Sequence, residues 1–547
     1  MEIITKLNNL KFEKSIIYLI LIIIGGLIIR FYYFPTDVPI ATDGYFSFVY
    51  ANKIIFEEAL PIGYTTTNTG WSYFLALFFQ SSDVSNPLHL MHIQRTLSII
   101  FSTIIAIPLF FIFKKFVNEK WALFGSFLLV MEPRLLLISI EGLNYSLYYF
   151  LFGTTIALFL KKTNYSFFFA FMCIAFSTIV RFEGLLLIIP GIIIYILRSN
   201  ENRSFKKLAC MIFLVIIILA PISMMRMNAT EDICYDYILT EVCGGDGITQ
   251  NIIDGVNFFY DRGVMQTPIT NPEDKMFDNL EALDRTSGKY LFDFVGIKII
   301  ENLFKFSAWA TIPYFILFIV FSTLLIIKNK AIFKLDWNKK TILITTGVMF
   351  LPAIYAYARE IDEVRYVLII LPLLCILSVS FSKFVSEKIQ DNKKTLTVLI
   401  ILVLILSIMF IEFKKRDTVH DLESYLVSEK IIELTDKSNR FNQGGYVKAA
   451  ILISEWPNLP KAGDNGKLIL DYTSISTQKY NDFEDFMNNS KKLDLKYIVI
   501  DRDNKFFNEI KEYKHKYDYL EKEFDSKDMN FENEFIIYKI NYEKKGM

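Results

Sequence analysis

The chain is poor in metal ligands and has no excess of either charge. Its 547 residues include four histidines and five cysteines, and 58 basic side chains balance 58 acidic ones. That balance gives no electrostatic case for nucleic acid or for a polyanionic partner. His89 and His92 stand i, i+3 at the mouth of an apolar run, but the sequence sets no cysteine or carboxylate beside them, so a zinc site would be short of ligands. A cleavable signal is missing as well. Lys6, Lys11 and Lys14 precede the first apolar run, which leads into Arg30-Phe-Tyr-Tyr-Phe and not into a small-residue cleavage site. The run therefore reads as a retained first span. There is no internal repeat and no low-complexity tract.

Apolar residues are what the chain has in abundance. They make up 53% of it, with 51 phenylalanines, and the mean hydropathy is positive. A soluble chain of this length would split into several domains with far more polar surface. Instead the apolar residues form runs, such as 16–29, 306–327 and 395–411, long enough or nearly so to cross a hydrocarbon core about 30 Å thick. The pattern predicts a polytopic α-helical membrane protein with about eleven transmembrane helices. The expected spans are 15–34, 95–113, 119–137, 143–160, 166–180, 184–197, 208–226, 306–327, 341–358, 366–382 and 395–412.

Charge placement orients them. Lys114 and Lys115, Lys161 and Lys162, Arg198 with Lys206 and Lys207, and the lysines of 328–340 and 383–394 fall in alternate loops. The positive-inside rule makes those loops cytoplasmic, and the N-terminus with them. Lys414, Lys415 and Arg416 run against the rule, because they follow the last span on the side assigned outside. The chain is thus expected in the plasma membrane, in contact with the bilayer along 1–412, with external loops at 35–94 and 227–305. Trp71 to Phe79 is too short to span and suits the interface, where Trp and Tyr are at home.

From 413 to 547 the sequence turns soluble in character. Charged helix-like stretches (421–437 and 506–523) alternate with short β-like runs (450–454, 468–472, 497–501 and 535–540). That alternation predicts a small C-terminal α/β domain outside the membrane. Cys173, Cys210 and Cys375 lie in apolar runs and read as buried space-fillers. Cys234 and Cys243 share the second external loop, where a disulfide is as reasonable as two free thiols.

With that topology, the ionisable residues near the bilayer gather on the external face. They are Asp43, Arg95, Glu132, Arg134, Glu141, Arg181, Glu183, Arg359, Glu360, Asp362, Glu363 and Arg365, with Tyr366 beside the last. Charged groups at membrane depth are costly and mark a site or pair with one another. Ordinary interfacial salt bridges would account for any one of them, but three arginine-bearing turns on one face favour a cavity. Guanidinium groups grip phosphate oxygens and a carboxylate takes a proton, so the set suits a phosphorylated ligand.

These residues also carry a family likeness. The strings Asp43-Gly-Tyr-Phe-Ser-Phe-Val-Tyr-Ala, Asn68-Thr-Gly-Trp-Ser-Tyr-Phe-Leu-Ala and Gln94-Arg95-Thr-Leu-Ser resemble the GT-C glycosyltransferases. That group includes the protein O-mannosyltransferases, the aminoarabinose transferases of lipid A and the oligosaccharyltransferases. Glu132-Pro133-Arg134, Arg181-Phe-Glu-Gly184 and Arg359 to Tyr366 followed by Leu371-Pro372 fit the same order along 1–412. The resemblance implies a transferase taking a sugar from a polyprenyl-phosphate carrier at the outer face and passing it to a hydroxyl of a protein, lipid or glycan acceptor. Asp43 would match the catalytic aspartate and act as general base, with inversion at the anomeric carbon. Arg181, Arg359 and Arg365 would face the leaving phosphate, and Tyr45 and Tyr366 the sugar hydroxyls. Arg95, Arg134, Glu141 and Glu183 complete the expected substrate-binding set.

The chain also departs from the pattern. Where relatives carry a second acid, Asn144 stands, with Glu141 about one helical turn before it. The acid-rich metal centre of oligosaccharyltransferases is thereby put in question, and a divalent metal stays open as the one cofactor. No two of the five tryptophans adjoin, so the Trp-Trp-Asp motif of those enzymes is missing. Asp501-Arg502-Asp503 has the Asp-X-Asp form of nucleotide-sugar transferases but ends a predicted strand, and reads as a polar turn. The rivals are a transporter or flippase of lipid-linked sugars and an oligosaccharyltransferase-like ligase. A transporter would line a mid-membrane path, often between two related halves, and no halves are detectable.

Overall fold

The computed structural model describes residues 14–40, 43–57, 68–82, 87–197, 204–230, 296–301, 336–358, 364–415, 417–434, 440–441, 482–492, 495–501, 506–512 and 516–544. The predicted span 306–327, the β-like runs 450–454 and 468–472, and Cys234, Cys243 and Arg359 lie outside the described residues.

Helices follow the apolar runs. They are α1 (Lys14–Tyr32), α2 (Asp43–Glu57), α3 (Gly70–Phe79), α4 (Pro87–Ile104), α5 (Ala106–Phe113), α6 (Glu119–Val130), α7 (Pro133–Ile140), α8 (Tyr145–Phe159), α9 (Asn164–Val180), α10 (Ile188–Leu197), α11 (Phe205–Thr230), α12 (Trp337–Met349), α13 (Leu351–Ala358), α14 (Leu371–Ile389), α15 (Asn392–Lys414) and α16 (Thr418–Leu434). Short 3₁₀ turns, Phe182–Leu187 and Val364–Ile370, lead into α10 and α14. Among the described residues six helices are long and apolar enough to cross a membrane, or seven if the bent pair α6–α7 is one span, and α8, α9 and Phe182–Leu197 are shorter apolar helices. This is a multi-pass membrane protein, with its large apolar side chains facing both the core and the surroundings. Trp71, Phe79, Phe152, Phe159, Phe167 and Phe171 are fully buried, whereas Ile28, Phe213 and Val398 point outward.

The basic loops cap the helices that leave them. Asn118 accepts the Trp121 N–H, Thr163 and Ser166 form a reciprocal capping box, and Asp336 and Asp391 accept from Lys339 and Lys394. Each such cap satisfies a donor that the helix start leaves orphaned. The same loops converge at one end of the bundle: Asn338 donates to the Lys115 carbonyl at 3.4 Å, and the Lys162 ammonium stands 4.9 Å from the Trp337 ring centroid. At the other end, the Tyr33 hydroxyl after α1 donates to Glu412 of α15 at 2.8 Å, and Glu412 also pairs with Lys415. The basic end of the last span therefore lies beside the first loop, as its place in the chain requires, with a carboxylate offsetting part of its charge.

Three expectations need correction. Residues 119–137 do not form one straight span: the helix breaks after Val130 and turns by 49° into α7. Pro133 sits at the first position of α7 and cannot donate an amide to the turn before it, and Glu132 caps the new start through Leu135 N–H at 2.7 Å. The stretch 506–523 is not one helix, since helix α18 (Phe507–Glu512) gives way to a strand from Leu520. Of the three cysteines in apolar runs only Cys375 is buried, and Cys210 is exposed on α11. Trp71 is wholly buried within the protein, and α3 packs closely on α2.

The C-terminal part is a four-stranded sheet of order β1-β2-β4-β3, where β1 is Arg440–Phe441, β2 Leu495–Ile500, β3 Leu520–Asp525 and β4 Ile536–Ile540. β1 runs parallel to β2, and the other pairs are antiparallel. Helices α17 (Phe483–Lys492) and α18 cover one face through Phe483, Phe486, Met487, Phe506 and Ile510. Val427 of α16 packs on the other with Tyr497, Val499, Phe535 and Ile537. Leu422 and Tyr425 of α16 touch Val38, so this helix joins the sheet to the first loop.

Candidate active site

The end of the bundle that carries the first loop is organised around a tight turn, residues 141–144, between α7 and α8. Gly142 takes φ +72°, a left-handed conformation that glycine adopts without the cost a Cβ would bring. Its carbonyl accepts from Trp71 Nε1 at 3.1 Å and from Gln94 Nε2 at 2.9 Å. Gln94 Nε2 also donates to the Gly44 carbonyl at 2.9 Å. Gly44 in turn lies so close that a Cβ there would come within 2.7 Å of the Glu141 carbonyl oxygen. The first turn of α2, which begins at Asp43, is thereby held against Glu141, whose side chain is exposed.

The other side of the turn meets the arginines. Arg181 follows α9 in extended conformation; its Nη1 donates to Asn144 Oδ1 at 3.3 Å and its Nη2 pairs with Glu183 at 2.5 Å. Burial works to lower the Arg181 pKa, and the Glu183 carboxylate outweighs it, holding the guanidinium charged well above its ordinary value. The same guanidinium lies over Tyr145 at 4.0 Å and over Tyr148 at 5.9 Å. Arg365, from the 3₁₀ turn before α14, approaches the Tyr145 ring at 5.6 Å, and its carbonyl accepts from the Tyr149 hydroxyl at 3.3 Å. Asn68 fastens the arrangement from the loop before α3 by accepting the Phe182 amide at 3.1 Å. A Cβ on Gly70 would fall 2.3 Å from the Ile179 carbonyl oxygen, so α3 and the end of α9 are in direct backbone contact.

Of the residues expected at a site, Arg181, Glu183 and Arg365 come together around Tyr145, while Glu141 and Asp43 adjoin through Gly44. Tyr45 is buried in the first turn of α2, and Tyr366 is half-buried against the core beside Arg365. Two arginines face other partners. Arg95 donates to the carbonyls of Ile140, Pro35 and Val38 at 3.1, 3.1 and 2.7 Å, which ties the first loop to the end of α7. Arg134 stacks on Phe410 of α15 at 5.2 Å. Glu132 is buried at the break in the chain, near enough to feel Arg134 and the fully buried Arg30.

Tyr145 and Gln94 were not singled out by their residue type. Tyr145, Tyr148 and Tyr149 share one helix face at i, i+3 and i+4, and that clustering at the mouth of an apolar run is the signal that points to them. Asn144 offers an amide oxygen already held by Arg181, and among the described residues no three His, Cys, Asp or Glu stand together as a ligand set. The described residues do not fit an acid-rich centre.

No known protein-family profile and no curated protein matches the sequence. The fold does have counterparts among solved structures. ArnT from Cupriavidus metallidurans in the apo state matches with a TM-score of 0.52 at 9% identity, covering 96% of this chain and 98% of that one. The apo Archaeoglobus fulgidus oligosaccharyltransferase matches with a TM-score of 0.50 at 11% identity, covering 90% of this chain and 70% of that one. At these identities the likeness is one of fold: the chain has the GT-C fold of membrane glycosyltransferases, with a small C-terminal sheet.

Proposed function

We propose that this protein is a membrane glycosyltransferase that moves a sugar from a polyprenyl-phosphate carrier to an acceptor hydroxyl at the external membrane face. One observation carries the reading. The first turn of α2, whose backbone begins at Asp43, lies against one side of the turn 141–144 and the Arg181 guanidinium against the other, so the segment bearing the assigned base and a cationic grip flank one short stretch of backbone. The GT-C fold supports the same assignment.

The chemistry is a single displacement. Asp43 takes the proton of the acceptor hydroxyl as its oxygen attacks the anomeric carbon. The bond from that carbon to the phosphate oxygen breaks, its electron pair leaves with the polyprenyl phosphate, and configuration inverts. General-base assistance of this kind contributes about 10²- to 10⁴-fold. The phosphate gains charge as it leaves, and Arg181, Arg365 and Arg359 are the groups assigned to stabilise it. Tyr45 and Tyr366 orient sugar hydroxyls, and Glu141 borders the acceptor side. The face bearing the site is external by the positive-inside rule, since the lysine-rich loops converge at the opposite end.

The test is transfer of radiolabelled sugar from membrane-extracted polyprenyl-phosphate donors to hydroxyl and asparagine acceptors, with wild type beside Asp43→Asn. Transfer to a hydroxyl that collapses in an inserted, folded Asp43→Asn protein supports the reading. Undiminished transfer in that variant removes Asp43 as the base. Transfer to asparagine alone favours the oligosaccharyltransferase-like ligase, and no transfer from a broad donor panel favours the transporter.

A further inference from the structure

Gln94 has no exposed surface, and both contacts of its amide nitrogen go to backbone carbonyls on separate segments. One is Gly44, next to Asp43, and the other is Gly142, in the turn that leads to Asn144 and Arg181. A neutral side chain that offers two N–H donors from one nitrogen is a primary amide, and a buried amide is costly unless bonded. The surrounding residues fit around that bridge. A Cβ on Gly142 would press on Gln94 Cγ at 3.1 Å, a Cβ on Gly44 would collide with the Glu141 carbonyl, and Trp71 adds a second donor to the Gly142 oxygen, the third N–H contact of the bridge.

We infer that Gln94 is a positioning residue for the transfer reaction, fixing the spacing between the start of α2 and the turn 141–144. The inference rests on the proposed role of Asp43. Gln94 acts through two backbone carbonyls: it sets how far the base lies from the arginines that grip the phosphate. A displacement of about 1 Å in such a spacing costs about 10²-fold in rate while leaving the remote carrier contacts in place. The effect belongs in kcat and not in the donor KM.

The experiment compares kcat and donor KM for the full-length wild type, Gln94→Met, Trp71→Phe and Asp43→Asn, with Thr103→Val as a control for losing a buried hydroxyl on the same helix. Gln94→Met keeps the length and removes both donors. The expected result is a kcat loss of about 10- to 100-fold with donor KM within about threefold of wild type. Trp71→Phe keeps an aromatic side chain, removes the indole N–H that is one of the three donors, and should lose about 3- to 10-fold in kcat, so it carries the test if Gln94→Met does not fold. Thr103→Val should keep wild-type kcat. If Asp43→Asn is inactive while Gln94→Met and Trp71→Phe keep wild-type kcat, the inference on Gln94 is overturned and the base stands. A loss that only tracks the folded fraction overturns it too. Undiminished activity in Asp43→Asn instead removes the reading beneath it.

Discussion

The guanidinium carbon of Arg181 stands 4.0 Å from the ring centroid of Tyr145, and the guanidinium of Arg365 meets the same ring at 5.6 Å. Two cations from different turns thus share one aromatic ring. The ring's quadrupole offsets part of the repulsion between them, with each contact contributing about 0.5–2 kcal/mol. Glu183 holds one of the pair in place at 2.5 Å.

Tyr145→Leu should therefore weaken the grip on the carrier phosphate. Loss of the ring releases both guanidinium groups, and donor KM is expected to rise by about 5- to 30-fold, while Tyr145→Phe stays near wild type. Steady-state transfer at varied donor concentration measures this. Equal KM values for wild type and the leucine variant would remove Tyr145 from the site.

Arg95 and Arg365 should separate in the kind of damage their loss causes. Arg95 holds three backbone carbonyls of the first loop and the end of α7, and it is 3% exposed. Hydrogen bonds from a charged donor contribute about 1.5–3 kcal/mol each, so Arg95→Ala should lower thermal stability in detergent together with activity. Arg365→Ala should leave the melting temperature close to wild type and lower transfer. The comparison fails if Arg95→Ala melts like wild type.

How far the sequence could be read depended on what each residue's role rests upon. Apolar runs announce helices because burial from water acts on every residue of the run, so α1, α4–α5, α14 and α15 fall where hydropathy places them. The break at Glu132 was legible only as Pro133, because a proline can begin a helix or kink one, and packing decides which. Arg95 and Arg181 are alike as letters. One closes a loop and the other stands on a tyrosine, and that difference lies in partners 45 and 36 residues away along the chain. Gln94 heads one of the strings that carry the family likeness, yet the sequence assigns it no role for the same reason: its two acceptors are carbonyls, which every residue possesses. The stretch 506–523 read as helix from its charges, but β3 pairs with β4 across many intervening residues, and that pairing overrides local preference.

The C-terminal sheet should lose some of its order in acid. Hydrogen bonding from Lys511, with Lys527 at 3.0 Å as a second partner, holds the Glu534 carboxyl below its usual range. A depressed carboxylate pKa gives stability that is fully present above the unfolded value and is lost as pH falls through the folded value. Hydrogen exchange at 534–540 should therefore be flat from about pH 8 to about pH 6 after correction for intrinsic rates, and rise below the ordinary carboxylate range near about 4.3. Both lysines are well exposed, so the rise should be modest and should shrink in high salt. Lys511→Met brings the folded value back toward the unfolded one, so the rise should begin at the same pH, be smaller and end at a higher pH. A rise of wild-type size in that variant would mean that Lys511 does not hold the carboxylate.

Glu423 should be the point at which the C-terminal sheet is fastened to the helical part. Its buried carboxylate accepts the amides of Glu532 and Asn533 at 2.6 and 2.9 Å and the Asn533 side chain at 2.7 Å. On the same helix, Val427 enters the sheet core and Leu422 and Tyr425 touch Val38 of the first loop. Glu423→Leu would leave three part-buried donors without that acceptor, and the local opening free energy of 531–537 should fall by about 1–3 kcal/mol. Glu423→Gln keeps one acceptor oxygen but brings an amide NH₂ against N–H donors, so it should fall between leucine and wild type. Deuterium uptake at 531–537 and at 35–40, measured together, separates two forms of coupling. Faster uptake in the first segment alone would make α16 a strap with independent ends. Faster uptake in both would mean that the sheet domain helps hold the loop clamped by Arg95, and with it the approach to Asp43.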